Sequence, residues 1–225
     1  MITEAVDWAV HHGAKVICIA LATGSSQALE SAIRRGIQAD AVIVAGVGND
    51  PAAGIQAPAK YDGVVAAVGV DRSGQRTAFS AMGPSATLAA PAVEIVTTDL
   101  GGRYVKSSGT SDATAIIAGV AALVRSKFPE LSAREVIHRM TATAIDKGKP
   151  GRDDEYGYGI VNPVAALTAD VAPLTESPSS VPPSIGAQPK PENKGSSAAL
   201  GWLLGAVLLA AAGTGAAIAI RRARR

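Results

Sequence analysis

Two short apolar, β-branched runs, Lys15–Leu21 (KVICIAL) and Ala41–Ala45 (AVIVA), bracket a helix-periodic stretch from Ser26 to Ala39. Within that stretch Ala28, Leu29, Ala32, Ile33 and Ile37 fall on one face. Two buried strands joined through a helix pair in parallel, with a right-handed crossover. This βαβ unit excludes a helical bundle and an antiparallel sandwich, and it sets an α/β expectation for the rest. Val64–Val70 reads as a further buried strand, Ser73–Gly74 as a turn and Val93–Thr97 as another strand. Ser111–Phe128, rich in Ala, Ile and Val with little charge before Arg125, predicts a helix that is central and enclosed. Ser132–Ala144 predicts an amphipathic helix opened by a Ser132/Glu135 capping box. The first residues, ITEAVDWAVHH, predict an amphipathic helix with Thr3 as its N-cap.

Composition narrows the function classes. Aromatic residues make up 4% of the 225-residue chain, too few for a base-stacking platform. The formal net charge is +2, but four of the 21 basic residues lie within Arg221–Arg225. Without that tail, acidic residues outnumber basic ones, which argues against a nucleic-acid partner. The single cysteine, Cys18, excludes an internal disulfide and any multi-cysteine metal site.

The pattern changes after residue 171. Residues 172–197 lose apolar periodicity and hold six of the 13 prolines, the composition of an extended, semi-rigid tether. Residues 198–220 follow without a charge, AALGWLLGAVLLAAAGTGAAIAI. As a helix this run is about 34 Å long, enough to cross a hydrocarbon core of about 30 Å. Residues 221–225, RRARR, end it abruptly. By the positive-inside rule, the expectation is a single-pass membrane protein with residues 1–197 outside the cytoplasm and a cytoplasmic basic tail. No apolar leader precedes the first helix, which is at odds with export and suggests that the chain starts partway into a longer protein.

Two clusters carry chemistry. VAGVGND, Val44–Asp50, follows a buried strand, and Gly46 and Gly48 permit a sharp turn at the sheet's carboxyl edge, where ligands collect in open α/β sheets. Asn49 there presents a carboxamide. SGTSDAT, Ser108–Thr114, opens the long helix, placing Ser111 in a first turn whose free N–H groups favour developing negative charge.

Residues 1–168 resemble the later two-thirds of a subtilisin-like serine protease domain. GTSDAT is similar to the subtilase nucleophile motif, VAGVGND to the segment carrying the oxyanion asparagine, and EYGYGIVNPVAAL to the closing motif of the domain. The intervening stretch, Ala57–Thr98, is similar to the connecting region almost position by position. The tether, apolar span and arginine tail add a likeness to mycosins, the membrane-anchored subtilases of actinobacterial type VII secretion. The resemblance implies a partial three-layer subtilisin-like fold with a mostly parallel sheet. It implies Ser111 as acyl-forming nucleophile and Asn49, with the Ser111 N–H, as oxyanion hole. It also implies Ala20, Leu21, Ala22 and Gly46 as cleft residues binding an extended peptide, and a cis bond before Pro58.

Departures bear on activity. Ala115 stands where the family motif has proline, and Ala20 and Ala22–Thr23 replace a Ser and a Gly-Gly pair, which narrows the expected specificity pocket. The family's aspartate and HGT histidine motifs are absent, and His11, His12 and His138 lie on helices expected away from Ser111. A serine without an adjacent base is a weak nucleophile. The expectation is therefore the C-terminal portion of a membrane-anchored serine endopeptidase acting on peptides or proteins, near-inert alone, and in the mycosin likeness associated with a secretion complex. The alternative is a non-catalytic structural or peptide-binding subunit at such a complex. No cofactor is expected. Asp153, Asp154 and Glu155 would be the place for calcium, but an acidic surface loop explains them better.

Overall fold

The structure is a computed structural model describing residues 1–174. The greater part of the predicted tether, the apolar span 198–220 and the arginine tail lie outside the described residues. Among the described residues, no helix is long and apolar enough to cross a membrane.

The elements run α1 (Ile2–His11), β1 (Val16–Ile19), α2 (Gln27–Gln38), β2 (Val42–Gly46) and β3 (Val65–Val70). They continue through β4 (Ala86–Pro91), β5 (Ile95–Asp99), β6 (Arg103–Ser107), α3 (Thr110–Lys127), α4 (Ala133–Ala142) and α5 (Pro163–Thr168). Strands β1 to β4 form one parallel sheet in sequence order. Alternation along β2 explains the layering. Ile43 and Ala45 pack with Leu29 and Ile33 of α2 on one face. Val42 and Val44 pack with Ala113, Ile117 and Val124 of α3 on the other, where Val136 and Met140 of α4 complete the core.

The local signals act as expected at several ends. Ser26 caps α2 by accepting the Leu29 N–H, and Ser132 and Glu135 form the reciprocal capping box of α4. The Ala57–Pro58 bond is cis. Three readings need correction. Helix α1 starts at Ile2 with Met1 at its N-cap position, so Thr3 lies inside the first turn. The strand expected at Val93–Thr97 is shifted to Ile95–Asp99 and pairs antiparallel with β6, outside the parallel sheet. Helix α3 is not fully enclosed. Ser111, Ala115, Gly119, Ala122 and Leu123 form an exposed stripe, with Leu123 52% accessible.

One polar junction ties three elements. Asp40, at φ 63° after α2, accepts the Ala133 N–H at 2.6 Å and pairs with Arg125 at 3.0 Å. Arg125 also donates to the Leu131 and Asp40 carbonyls, and its side chain is 9% exposed. Partial burial by itself would raise the Asp40 carboxyl. The Ala133 N–H and the Arg125 guanidinium outweigh it and hold the pKa below its ordinary value. A depressed folded-state pKa adds stability above the unfolded carboxylate's pKa of about 4, and that stability is lost as pH falls through the lower folded value. Asp40→Asn should therefore flatten the loss of denaturant stability between neutral and acid pH relative to the parent. Arg125→Met should cost about 2–3 kcal/mol at neutral pH, towards the low side for a broken buried pair because Asp40 still reaches solvent. An unchanged unfolding midpoint would remove this junction from the stability of the fold.

Candidate active site

Parallel pairing sends the ends of β1 and β2 to the same edge of the sheet, and α3 begins over that edge. Val47 is still buried, whereas Asn49 is exposed, so the chain leaves the core at Gly48. Gly48 has φ 105°, a conformation that favours glycine. The Asn49 Oδ1 accepts the Thr110 N–H at 2.9 Å. That bond commits the carboxamide oxygen and leaves its NH₂ as the donor free for a ligand. A Cβ on Gly109 would stand 3.1 Å from Asn49 Nδ2, so the absence of a side chain at Gly109 makes room for the amide.

Thr110 and Thr114 are buried, and the Thr114 hydroxyl donates to the Thr110 carbonyl at 2.7 Å. The loop before α3 is held by the Gly109 N–H on the Ala92 carbonyl at 2.9 Å and by Ser107 donating to Asp112 at 2.6 Å. Ser111 is exposed, and its hydroxyl donates to the Ala20 carbonyl at 3.2 Å. Its backbone N–H lies in the first helical turn, where donors have no helical acceptor. One point of the carboxyl edge thus gathers a hydroxyl, a carboxamide donor and a helix-end N–H. This arrangement can present a nucleophile and two donors to a carbonyl group.

Other residues fall as follows. Ala20, Leu21 and Ala22 continue β1 along the rim, with Leu21 57% exposed. Gly46 was expected to line the cleft, but it is buried. Its Cβ position lies 3.1 Å from both the Thr110 and Thr114 hydroxyls, so it allows α3 to approach β2 from beneath the site. His11 and His12 end α1, before β1 begins, which puts them towards the amino edge of the sheet; His12 stacks on Trp8. His138, on α4, is half-buried with Nε2 3.1 Å from the Ala172 carbonyl. None of these hydrogen bonds joins a histidine to Ser111. Asp153 accepts the N–H groups of Lys149, Glu155 and Tyr156 and acts as a loop staple. Burial would raise its carboxyl, but those hydrogen bonds lower it overall. Among the described residues no group of three or more His, Cys, Asp or Glu side chains gathers as a metal site.

The fold and this constellation define a parallel α/β chain with a serine and a carboxamide joined at one sheet edge. The chain belongs to the subtilase family, whose model matches residues 1–159. It is 38% identical over 162 residues to a thermostable alkaline protease of Halalkalibacterium halodurans, covering 72% of this chain and 44% of that protein. It is 37% identical over 170 residues to subtilisin DY of Bacillus licheniformis, covering 73% and 61%. The chain therefore spans roughly half the length of the curated relatives it matches. Among solved structures it is similar to MycP1 with the N-terminal propeptide removed, at TM-score 0.69 and 31% identity over 76% of this chain and 66% of that one. It is also similar to the MycP3 protease from the type VII (ESX-3) secretion system, at TM-score 0.64 and 35% identity over 74% and 57%. The subtilisin-like α/β fold with a mostly parallel sheet and the serine-protease family are thereby established.

The close approach at Gly46 is testable by itself. Gly46→Val should force the Thr110 and Thr114 side chains apart, lift the first turn of α3 and cost about 1–3 kcal/mol. Unfolding in denaturant reads the cost, and parent-like stability would refute the contact.

Proposed function

We propose that this chain is part of a membrane-anchored subtilisin-like serine endopeptidase in which Ser111 forms the acyl-enzyme. The observation that carries the reading is the Thr110–Asn49 hydrogen bond, which fixes a carboxamide donor beside the Ser111 hydroxyl. Asn49 Nδ2 and the Ser111 N–H stabilise the oxyanion as the hydroxyl attacks the peptide carbonyl and yields its proton to a base. That proton passes to the amine as the C–N bond breaks, and water then hydrolyses the acyl ester to a free carboxylic acid and the serine hydroxyl. An extended peptide adds as a strand along Ala20–Ala22. Its N–H competes for the Ala20 carbonyl, the group on which the Ser111 hydroxyl rests at 3.2 Å. Substrate binding thus releases the hydroxyl towards a base.

The three histidines are placed on α1 and α4 rather than at Ser111, which supports a base supplied by residues outside this segment. Little hydrolysis is expected from the segment by itself. The domain reading remains 1–171 as peptidase domain, 172–197 as tether, 198–220 as membrane helix and 221–225 as cytoplasmic tail. The peptidase part then faces outward from the cytoplasmic membrane, acting on peptides or proteins. The likeness to MycP1 and MycP3 supports a place in a secretion complex. Neither metal nor cofactor is needed for this chemistry.

A fluorophosphonate probe applied to the membrane-embedded whole protein should label Ser111, and Ser111→Ala should abolish labelling. Loss of one oxyanion donor costs about 10²–10³ in kcat in a subtilisin, a relative of this chain, and the same order is expected for Asn49→Ala. Absence of labelling in the whole protein favours the other reading, a non-catalytic peptide-binding or structural subunit. The histidines' own partners, Trp8 for His12 and the Ala172 carbonyl for His138, are the observation behind that second reading.

A further inference from the structure

Trp8, on α1, is 64% exposed, and the chemistry above does not use it. Single exposed apolar side chains are ordinary on a protein surface, but this ring is held. His12 stacks on it with ring centroids 4.0 Å apart, His12 Nδ1 lies 2.7 Å from the Trp8 carbonyl, and His11 meets His12 edge-on at 5.4 Å. Helix α1 ends at His11 and β1 starts at Val16, so the three rings lie towards the amino edge of the sheet. The chain also leaves the domain beside that edge. Asp40, two residues before β2, bonds the Ala133 N–H at the start of α4 and pairs at 3.6 Å with Lys15, just before β1. The opening of α4 therefore sits at the amino edge, and two residues of that helix hold the departing chain. Arg139, 4.2 Å from the centre of the Phe128 ring, donates Nε to the Ala166 carbonyl at 2.6 Å and Nη2 to the Ala169 carbonyl. His138 Nε2 lies 3.1 Å from the Ala172 carbonyl. Val171 and Leu174 then share a small cavity with Leu131, the residue before the α4 cap.

We infer that the amino edge is a lipid-contacting face, with the Trp8–His12 stack seated in the headgroup zone of the bilayer. This rests on the reading of residues 198–220 as a membrane anchor. Residues 175–197 separate the pinned exit from that span. To bring the amino edge to the lipid, they need only continue in the direction in which the chain leaves. To bring the site edge there, they would have to turn back past the whole domain. The side chain presented fits the destination. An indole joins a large apolar ring to one N–H, the combination enriched where hydrocarbon meets headgroups. The His12 stack keeps that ring from folding back onto α1. With the amino edge against the bilayer, the carboxyl edge that carries Ser111 and Asn49 faces away from it, open to an extended peptide.

The full chain holds two tryptophans, Trp8 and Trp202, so single-tryptophan variants separate the face from the anchor. Trp202→Phe and Trp8→Phe are placed in nanodiscs of equal parts phosphatidylcholine and phosphatidylglycerol, with and without bromine on the phosphatidylcholine acyl chains. Both variants are used as samples that unfold cooperatively in denaturant. Brominated lipid should lower the emission of Trp8 in Trp202→Phe and of Trp202 in Trp8→Phe. Adding His12→Ala to Trp202→Phe should weaken the quenching of Trp8, because the ring that holds the indole outward is gone. Quenching of Trp202 without quenching of Trp8 overturns the lipid-contacting edge and leaves the anchor standing. Quenching of neither overturns the anchor and the inference with it. A Trp8 that brominated lipid does not quench but that is shielded from acrylamide is covered by protein, a second copy of this chain, and that result also overturns the lipid face.

Discussion

The hydrogen bond from the Thr110 N–H to the Asn49 side chain joins the two halves of the candidate site. Asn49 ends a loop leaving β2, and Thr110 is the first residue of a helix that follows several strands later. Nothing local in either segment requires them to meet. The parallel sheet brings β2 and α3 to one edge, and the carboxamide then satisfies a first-turn N–H that the helix cannot satisfy itself. The same bond turns the amide's donor side outward. Helix capping and placement of a catalytic-type donor are thus one interaction, so damage to either should be felt by both.

That interaction depends on how closely α3 lies on the sheet. Gly46 supplies the gap on the strand side, and Thr110, Ala113 and Thr114 supply small or short side chains on the helix side. A larger residue at any of these would lift the helix start by a fraction of an ångström, enough to lengthen a 2.9 Å bond. At the other end of α3, Arg125 and Asp40 hold the helix to the α2–β2 turn and to α4. The helix is pinned at its foot by charge and at its mouth by an amide. Precision at the site is therefore a property of the whole α3–sheet contact rather than of the two motifs.

Much of this was legible in the sequence because the β-branched runs are long and the helix between them is strongly periodic. Ala41–Ala45 and Val64–Val70 became buried strands, and the capping residues Ser26 and Ser132 act as their chemistry predicts. Strand β4 leaves little mark in the sequence because Ala86–Pro91, ATLAAP, is built mostly of small residues and ends in proline, with little alternation. Strand β6 carries no apolar pattern because Arg103–Ser107 is mostly exposed and draws its order from pairing with β5. At the site, Ser111 and Asn49 stood out because each opens or follows an element. Gly46 was legible as a glycine but not as the spacer under α3, since a close approach depends on the partner helix.

The resting serine gives a physical reason for treating the segment and the whole protein separately. Its hydroxyl donates to the Ala20 carbonyl, so in this state its proton points at a neutral oxygen that cannot accept it permanently. Such a bond positions Oγ without making it more nucleophilic. Activation needs an acceptor whose pKa lies near the working pH, and the side chains closest in sequence to Ser111 offer only Asp112, already engaged by Ser107. A hydroxyl and two donors, in the proposed reading, meet the reacting carbonyl here, and proton transfer falls to another group. In the proposed reading, the positioning half of the reaction is encoded in these residues, and it is the half that depends most on close packing.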